Sequence, residues 1–197
     1  MAREAKLFVL SGPSGAGKGT VLKSVLEQRP ELHLTVSATT RKPREGEVDG
    51  VSYHFLDEDE FDALVKQNAF LEWANVHGHC YGTLNSEVDQ YLKQGRSVVL
   101  EIDVQGAFNV LKQRPDAILL FIEPPSMEEL ERRLRSRGTE DEESLKLRLH
   151  NAHHEMELAP RYHARIVNDD LNDAVRRTIE LIDHYENNGG SDQHGSH

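Results

Sequence analysis

The sequence has 197 residues, which is enough for one domain of ordinary size with its own buried core. It carries 34 acidic against 23 basic residues, and the formal net charge of −11 argues against nonspecific binding to nucleic acid or to an anionic membrane. No apolar run approaches the roughly 18 residues of a membrane-spanning helix. The single cysteine, Cys80, excludes an intrachain disulfide and a cysteine-based metal cluster, so we expect a protein of the reducing cytoplasm.

Short apolar runs alternate with amphipathic segments, a pattern typical of an α/β fold with a mainly parallel sheet. The predicted core strands are 7–10, 98–102, 118–122 and 164–167. A helix is predicted after the first strand, because Val21, Leu22, Val25 and Leu26 share one face. Capping-box patterns at Ser126/Glu129 and Thr139/Glu142 predict the starts of two further helices, the second running to about Met156. A last helix is predicted to end near Asn187.

The stretch from residue 36 to residue 95 has a different character. It contains strand-like runs at 52–56 and 70–76, two short helical patterns and several glycines. It therefore predicts an α+β lobe inserted between the first helix and the second core strand. In this interpretation residues 1–187 form one domain, with its core at 5–35 and 96–187, and the polar residues 188–197 form a disordered tail.

A glycine-rich run follows the first predicted strand and leads into the first predicted helix. Its sequence is Gly12-Pro13-Ser14-Gly15-Ala16-Gly17-Lys18-Gly19-Thr20. This spacing is typical of a P-loop, whose backbone N–H groups converge on phosphate oxygens at a helix N-terminus while the lysine reaches the β- and γ-phosphates. Gly19 follows the lysine where a hydroxyl usually holds Mg²⁺, so Thr20 is displaced by one position. Coordination of Mg²⁺ by Thr20 or only by substrate phosphates and water therefore stays open.

Two arginines, Arg41 and Arg44, flank Pro43 in the segment that follows Ser37. Guanidinium groups bind phosphate through paired hydrogen bonds, so this spacing favours an anion-binding segment over the alternative of a solvated basic loop.

These motifs continue along the chain and together resemble the guanylate kinase family. The matching segments are GPSGAGKGT, SATTRKPREGE, FLEWA, YGT, EIDVQG, RSRGTEDEES and IVNDD, from about Leu7 to Tyr185. The resemblance implies a P-loop nucleoside monophosphate kinase fold, with a parallel core sheet flanked by helices, an inserted GMP-binding lobe and a short lid at about 135–156. It also implies transfer of the γ-phosphoryl group of ATP to GMP and dGMP, with Mg²⁺, in purine nucleotide metabolism.

The resemblance assigns the acceptor site to the inserted lobe. The residues that it places around GMP are Ser37, Arg41, Arg44, Tyr53, Glu72, Tyr81, Gly82, Thr83 and Asp103. Glu72 would accept hydrogen bonds from the ring N1–H and the exocyclic amine of guanine, which adenine cannot offer together. Asp103 would contact the acceptor or Mg²⁺ through water, although a carboxylate satisfied by neighbouring N–H groups is the alternative. Glu101 departs from the aspartate that the family usually has there.

The donor site and the catalytic cations follow from the same resemblance. ATP would contact residues 12–20, Arg137 and Asn168, and Thr20 and Asp103 are the candidates for holding Mg²⁺. The catalytic group would comprise Lys18, Arg41, Arg44, Arg133, Arg137 and Arg148. For the arginines near Glu129 and Glu131, a charged surface helix is the alternative.

Two rival functions were weighed against this one. The first is a guanylate-kinase-like module that has lost catalysis and binds phosphopeptides, and the intact Lys18 argues against it. The second is a kinase for another nucleotide or a phosphosugar, and the set of Ser37, Arg41, Arg44 and Glu72 favours GMP instead. We expect a monomer or small homo-oligomer that binds GMP and ATP, with neither nucleic acid nor membrane as a partner.

Overall fold

The computed structural model describes residues 3–76, 78–136 and 142–188. The strands are β1 (Leu7–Ser11), β2 (His33–Leu34), β3 (Ala38–Thr39), β4 (His54–Phe55), β5 (Phe70–Val76), β6 (His79–Leu84), β7 (Val98–Glu101), β8 (Ile118–Glu123) and β9 (Ala164–Val167). The helices are α1 (Lys18–Gln28), α2 (Glu58–Lys66), α3 (Asn85–Lys93), α4 (Val104–Gln113), α5 (Met127–Ser136), α6 (Glu142–Leu158) and α7 (Leu171–Asn187).

Five parallel strands form the core sheet in the order β2-β7-β1-β8-β9. The uninterrupted apolar runs of β1 and β8 are buried along their whole length, as expected for parallel strands covered on both faces. One face packs against α1 and α7, and the other packs against α3 and α4. The fold is therefore the predicted α/β architecture with helices on both sides of a parallel sheet.

A second sheet of four strands lies in the segment between α1 and β7, in the order β4-β3-β6-β5. Its strands β5 and β6 form an antiparallel hairpin, and Phe61 of α2 stacks on Phe70 of β5 with ring centroids 4.4 Å apart. The strand predicted at 52–56 is restricted to His54–Phe55. The sequence did not indicate β2, β3 and β6, because β2 and β3 have two residues each and β6 has no regular alternation of apolar and polar residues.

Two predicted helix starts have different outcomes. The N–H of Glu129 donates to the Ser126 hydroxyl (3.2 Å), and α5 begins at Met127 as expected. The Glu129 carboxylate pairs with Arg132 and Arg133. Thr139 lies outside the described residues, and α6 is described from Glu142 to Leu158. The prediction also missed α4, whose N-cap is Asp103.

The C-terminal helix is fixed to α1 and to the start of β7 by a buried ionic network. Arg29 donates to Asp183 (2.7 Å) and to Glu186 (2.8 Å), and the Ser97 hydroxyl donates to Glu186 (2.6 Å). The backbone N–H of Glu4 also donates to the carbonyl of Glu186 (2.9 Å). The described part of the chain contains no helix that is both long and apolar enough to cross a bilayer.

Candidate active site

The glycine-rich loop joins β1 to α1 in a conformation that depends on its glycines. Gly12 has a φ of 143°, and a Cβ atom there would lie 2.0 Å from the carbonyl oxygen of Ile122. Gly17 has a φ of 91° and forms the N-cap of α1. The Lys18 ammonium donates to the carbonyls of Gly12 (2.6 Å) and Pro13 (3.2 Å), so the lysine folds back over its own loop. Lysine and N-terminal N–H groups thus concentrate positive charge at the carboxyl end of β1.

Asn168, which follows β9, is tied to this loop. Its side-chain amide donates to the carbonyl of Ala16 (2.7 Å), and it lies close to Gly17, where a Cβ atom would be 2.4 Å from the amide nitrogen. Arg133 donates to the carbonyl of Asn168 (2.9 Å) and to Glu129 (2.7 Å). Asn168, which is predicted to contact ATP, therefore contacts the backbone of the glycine-rich loop, and through Arg133 it connects α5 to that loop. The sequence did not indicate this contact.

The segment around Arg41 assembles in the second sheet. Arg41 donates to both carboxylate oxygens of Glu47 (3.0 and 2.8 Å), and the N–H of Arg44 donates to the same carboxylate (2.7 Å). The pairing raises the pKa of Arg41 and lowers the pKa of Glu47. The Arg41 guanidinium lies 5.4 Å from the ring centroid of Tyr53, which is 6.0 Å from that of Tyr81. The structure therefore brings together Arg41 and both predicted tyrosines, while the side chain of Arg44 is exposed.

Ser37 and Gly82 flank the same region through the strands. The carbonyl of Ser37 accepts the N–H of His54 (2.9 Å), one residue before β3 begins. Gly82 of β6 faces Ala38 of β3, and a Cβ atom on it would lie 2.9 Å from the carbonyl oxygen of Glu72. A glycine at this position lets the strands approach closely.

Glu72 and Thr83 form a buried polar pair between β5 and β6. Glu72 is 9% exposed, and the Thr83 hydroxyl donates to one of its carboxylate oxygens (2.9 Å). Burial raises the pKa of Glu72, the Thr83 hydrogen bond opposes that rise, and the nearby charge of Asp103 adds to it. A Cβ atom on Gly106 would lie 3.3 Å from the second Glu72 oxygen and 3.2 Å from Asp103. Both carboxylates thus lie beside Gly106 in the first turn of α4.

The carboxylate of Asp103 accepts the N–H of Gly106 (2.6 Å) and caps α4. This contact corresponds to the alternative in which a strand-end carboxylate is satisfied by neighbouring N–H groups. Glu101, at the end of β7, lies beside the loop, and a Cβ atom on Gly19 would be 3.5 Å from its carboxylate. Partial desolvation raises the pKa of Glu101, and the charge of Lys18 opposes the rise.

The metal candidate Thr20 and the predicted cation Arg148 lie on helices. Thr20 is exposed on the first turn of α1, and Arg148 is half-buried on α6. Arg137 lies outside the described residues. Within residues 3–76, 78–136 and 142–188, no cluster of three or more His, Cys, Asp or Glu side chains is arranged to hold a metal ion.

Two acidic residues of this region were missed by the sequence interpretation. Glu47 lies in the RKPREGE run, where a carboxylate after two arginines was a usable signal for an ion pair. Glu155 of α6 lies with Asp103 along one cavity of about 210 Å³. Burial raises the pKa of Glu155, and the charge of Lys18 opposes that shift. Nothing in the local sequence distinguishes Glu155 from other helix-surface glutamates.

The glycine-rich loop, Glu101 and Asp103 therefore lie at the carboxyl ends of β1 and β7, the edge where open parallel sheets bind ligands. A family model described as guanylate kinase matches residues 4–185. A guanylate kinase of Caldanaerobacter subterraneus subsp. tengcongensis is 47% identical over 91% of this chain and 87% of its own length. A guanylate kinase of Synechococcus sp. is 49% identical over 90% of this chain and 95% of its own length. The crystal structure of guanylate kinase from Anaplasma phagocytophilum has a TM-score of 0.74, with 33% identity over 94% of this chain and 88% of that one. The chain belongs to the guanylate kinase family.

Proposed function

We infer that this chain carries out its family's reaction, the transfer of the γ-phosphoryl group of ATP to GMP to give ADP and GDP. The observation that carries this inference is the adjacency of two sites. β1 and β7 are neighbouring parallel strands, and β1 leads into the loop of Lys18 while β7 leads to Asp103. Glu72 and Asp103 both lie beside Gly106 in the first turn of α4. A phosphate-binding loop and a buried carboxylate that suits guanine thus belong to the same edge of the sheet.

The proposed chemistry consists of positioning and charge neutralisation. The attacking oxygen of GMP is a phosphate oxygen that is already ionised at neutral pH, so the reaction needs no general base. Lys18 and the N–H groups of residues 12–20 would hold the ATP phosphates. Arg41, Arg44, Ser37 and the two tyrosines Tyr53 and Tyr81 would hold the GMP phosphate. Without such cations, the two anionic substrates would repel each other.

Guanine selection is assigned to Glu72, supported by Thr83. A carboxylate accepts from the N1–H and the exocyclic amine of guanine together, whereas adenine presents a lone pair at N1. Because Glu72 is buried, a wrong base would leave its oxygens unpaired, and such mismatches give strong discrimination. The proposed contacts involve the base and the phosphate but not the 2′ position of the sugar, so we also propose that dGMP is an acceptor.

Mg²⁺ is proposed as the cofactor, held mainly by substrate phosphates and water. The available donors suit it, since Thr20, Asp103 and Glu101 offer the hard oxygen ligands that Mg²⁺ prefers. One oxygen of Asp103 already accepts the N–H of Gly106, so a contact through water is favoured for this residue. When bound, Mg²⁺ neutralises charge on the transferring phosphoryl group.

The proposal also gives roles to the arginines of the lid, to Asn168 and to the inserted lobe. Arg133, Arg137 and Arg148 would stabilise charge on the moving group when a lid at about 135–156 closes, and Asn168 would lie beside the ATP site. The lobe at 36–95 would close over GMP, which excludes water from the reaction. Because ATP and GMP are cytoplasmic metabolites, we place the reaction in the cytoplasm.

A coupled assay of ADP release, with GMP, AMP, CMP and UMP as acceptors, tests the proposal. We expect GMP to give the highest kcat/KM, and this turnover to depend on Lys18. Another nucleotide as the best acceptor would overturn the assignment of the substrate. Absence of turnover with all four would favour a binding module instead.

A further inference from the structure

The chain passes between the two sheets at two places, and one side chain connects them. The first passage is the three-residue segment 35–37, which leaves β2 of the core and ends at Ser37, just before β3. The second passage is α3, which follows β6 and returns the chain to β7. Glu87 lies on the first turn of α3 and reaches the first passage.

Glu87 holds the first passage through a single carboxylate oxygen. This oxygen accepts the backbone N–H of Val36 (2.9 Å) and lies 2.7 Å from Nε2 of His33, at the start of β2. An ionised carboxylate has no proton to donate, so Nε2 of His33 is the donor. The His33 ring also stacks on Tyr91 of α3, with ring centroids 3.4 Å apart and an interplanar angle of 14°.

The stability of α3 does not account for this carboxylate. The Glu87 side chain is only 13% exposed, and its second oxygen is buried without a hydrogen-bond partner among the described residues. A buried oxygen that lacks a partner costs stability, and an apolar side chain would fill the same space without that cost. The feature that an apolar residue could not supply is the acceptor for the N–H of Val36 and for Nε2 of His33.

We propose that Glu87 is a positioning residue for the acceptor phosphate. By fixing the N–H of Val36, it sets the orientation of the next residue, Ser37, and of β3, which leads to Arg41. His33 orients the carboxylate, and its stacking on Tyr91 anchors this arrangement to α3. The inference rests on the proposed function, because Ser37 and Arg41 are there assigned to the GMP phosphate.

The test compares Glu87→Ala with Glu87→Gln, using the exposed Glu58→Ala of α2 as the control. We expect Glu87→Ala to raise the KM for GMP about tenfold, while kcat and the KM for ATP stay within about twofold of the parent values. Glu87→Gln should restore the KM for GMP to within about threefold, because the amide oxygen still accepts from Val36. Glu58→Ala should leave all three parameters unchanged.

Three outcomes would overturn the proposal. They are an unchanged KM for GMP in Glu87→Ala, an equal rise in both KM values, and no recovery in Glu87→Gln. If Glu87→Ala does not fold, His33→Phe takes its place, because it keeps a ring on Tyr91 and removes the N–H. His33→Phe should raise the KM for GMP by more than about threefold and leave the KM for ATP within about twofold of the parent value, and an unchanged KM for GMP would refute the connection.

The parent chain is assayed first, so a failure of the proposed function is seen separately. If the parent prefers another nucleotide, the assignment of GMP fails, and the variants are then compared with that acceptor. If the parent prefers GMP and the variants leave its KM unchanged, only the role of Glu87 fails.

Discussion

Replacing Glu72 by glutamine tests guanine selection with the smallest change in shape. The parent carboxylate lies 91% buried between β5, β6 and the first turn of α4, with Thr83 donating to one oxygen. It would accept two N–H groups of guanine. The amide of Glu72→Gln can accept one of them, but it presents its own N–H to the other.

The size of the effect follows from these contacts. A hydrogen bond to a charged group contributes about 1.5–3 kcal/mol, and a buried donor left without an acceptor costs about 1–3 kcal/mol. The substitution removes one such bond, weakens the second and creates one N–H to N–H conflict. We therefore expect a loss of about 3–4 kcal/mol of transition-state binding, or about 10²–10³-fold in kcat/KM for GMP.

The substitution has the opposite effect on the stability of the free protein. Because burial raises the pKa of Glu72, the folded state holds the ionised carboxyl less favourably than the unfolded state does. The ionised form therefore reduces stability at neutral pH, and this loss is relieved as the pH falls and the carboxyl is protonated. Glu72→Gln should raise the free energy of unfolding at neutral pH, and the gain should shrink toward acidic pH.

The assay combines steady-state kinetics with urea denaturation, and Glu58→Gln serves as a control of equal charge change. The reasoning would be refuted if Glu72→Gln kept a kcat/KM for GMP within about tenfold of the parent. It would be refuted equally if the loss came with unfolding, since the free energy of unfolding is expected to rise.

Four further outcomes are expected. Lys18→Ala should lower kcat by at least about 10²-fold with an unchanged circular dichroism spectrum, because it removes the cation that would face the donor phosphates and two hydrogen bonds within one loop, while the helices and sheets stay intact. Gly12→Ala should destabilise the protein by more than about 3 kcal/mol in urea titrations, because the new Cβ atom would collide with the carbonyl oxygen of Ile122. The control Gly46→Ala, at a φ of 84° in open space, should cost about 1 kcal/mol, and equal costs for the two variants would contradict this reasoning. Arg29→Ala should cost about 3 kcal/mol in the same titrations, because the buried carboxylate of Glu186 loses its cation at 2.8 Å and keeps the Ser97 hydroxyl as its hydrogen-bond donor at 2.6 Å. The KM for GMP should rise as the pH is lowered from neutral, because Glu72 becomes protonated, and a KM independent of pH would exclude that role.

The core of the fold follows from local patterns in the sequence. Buried parallel strands are continuous apolar runs, and the P-loop depends on glycines at fixed spacing, so β1, β8 and residues 12–20 were identifiable without tertiary information. The second sheet is harder to predict, because β3 and β4 have two residues each and become strands only through pairing with distant segments. Their register comes from contacts, not from local propensity.

In the candidate site too, some features follow from local sequence patterns and others only from tertiary contacts. Its residues were named through a resemblance of ordered motifs, but their partners are distant in sequence. The amide of Asn168 contacts Ala16 across 152 positions, and Glu87 contacts Val36 across 51. Asp103 is a different case, because an acidic residue before the apolar positions of α4 was a readable N-cap pattern. The capping of α4 by Asp103 was therefore accessible from the sequence, whereas the contacts of Asn168 and Glu87 were not.

The hydrogen bond between Glu4 and Glu186 places the two ends of the described chain side by side. A short glycine linker could join them, and new termini could be opened at the exposed turn between Pro115 and Asp116, at the amino end of β8. Such a circular permutant would begin with β8, which pairs with the central strand β1, and would keep β1, the glycine-rich loop and α1 in one continuous segment. The order in which this polypeptide is synthesised is thus separable from the arrangement that it adopts.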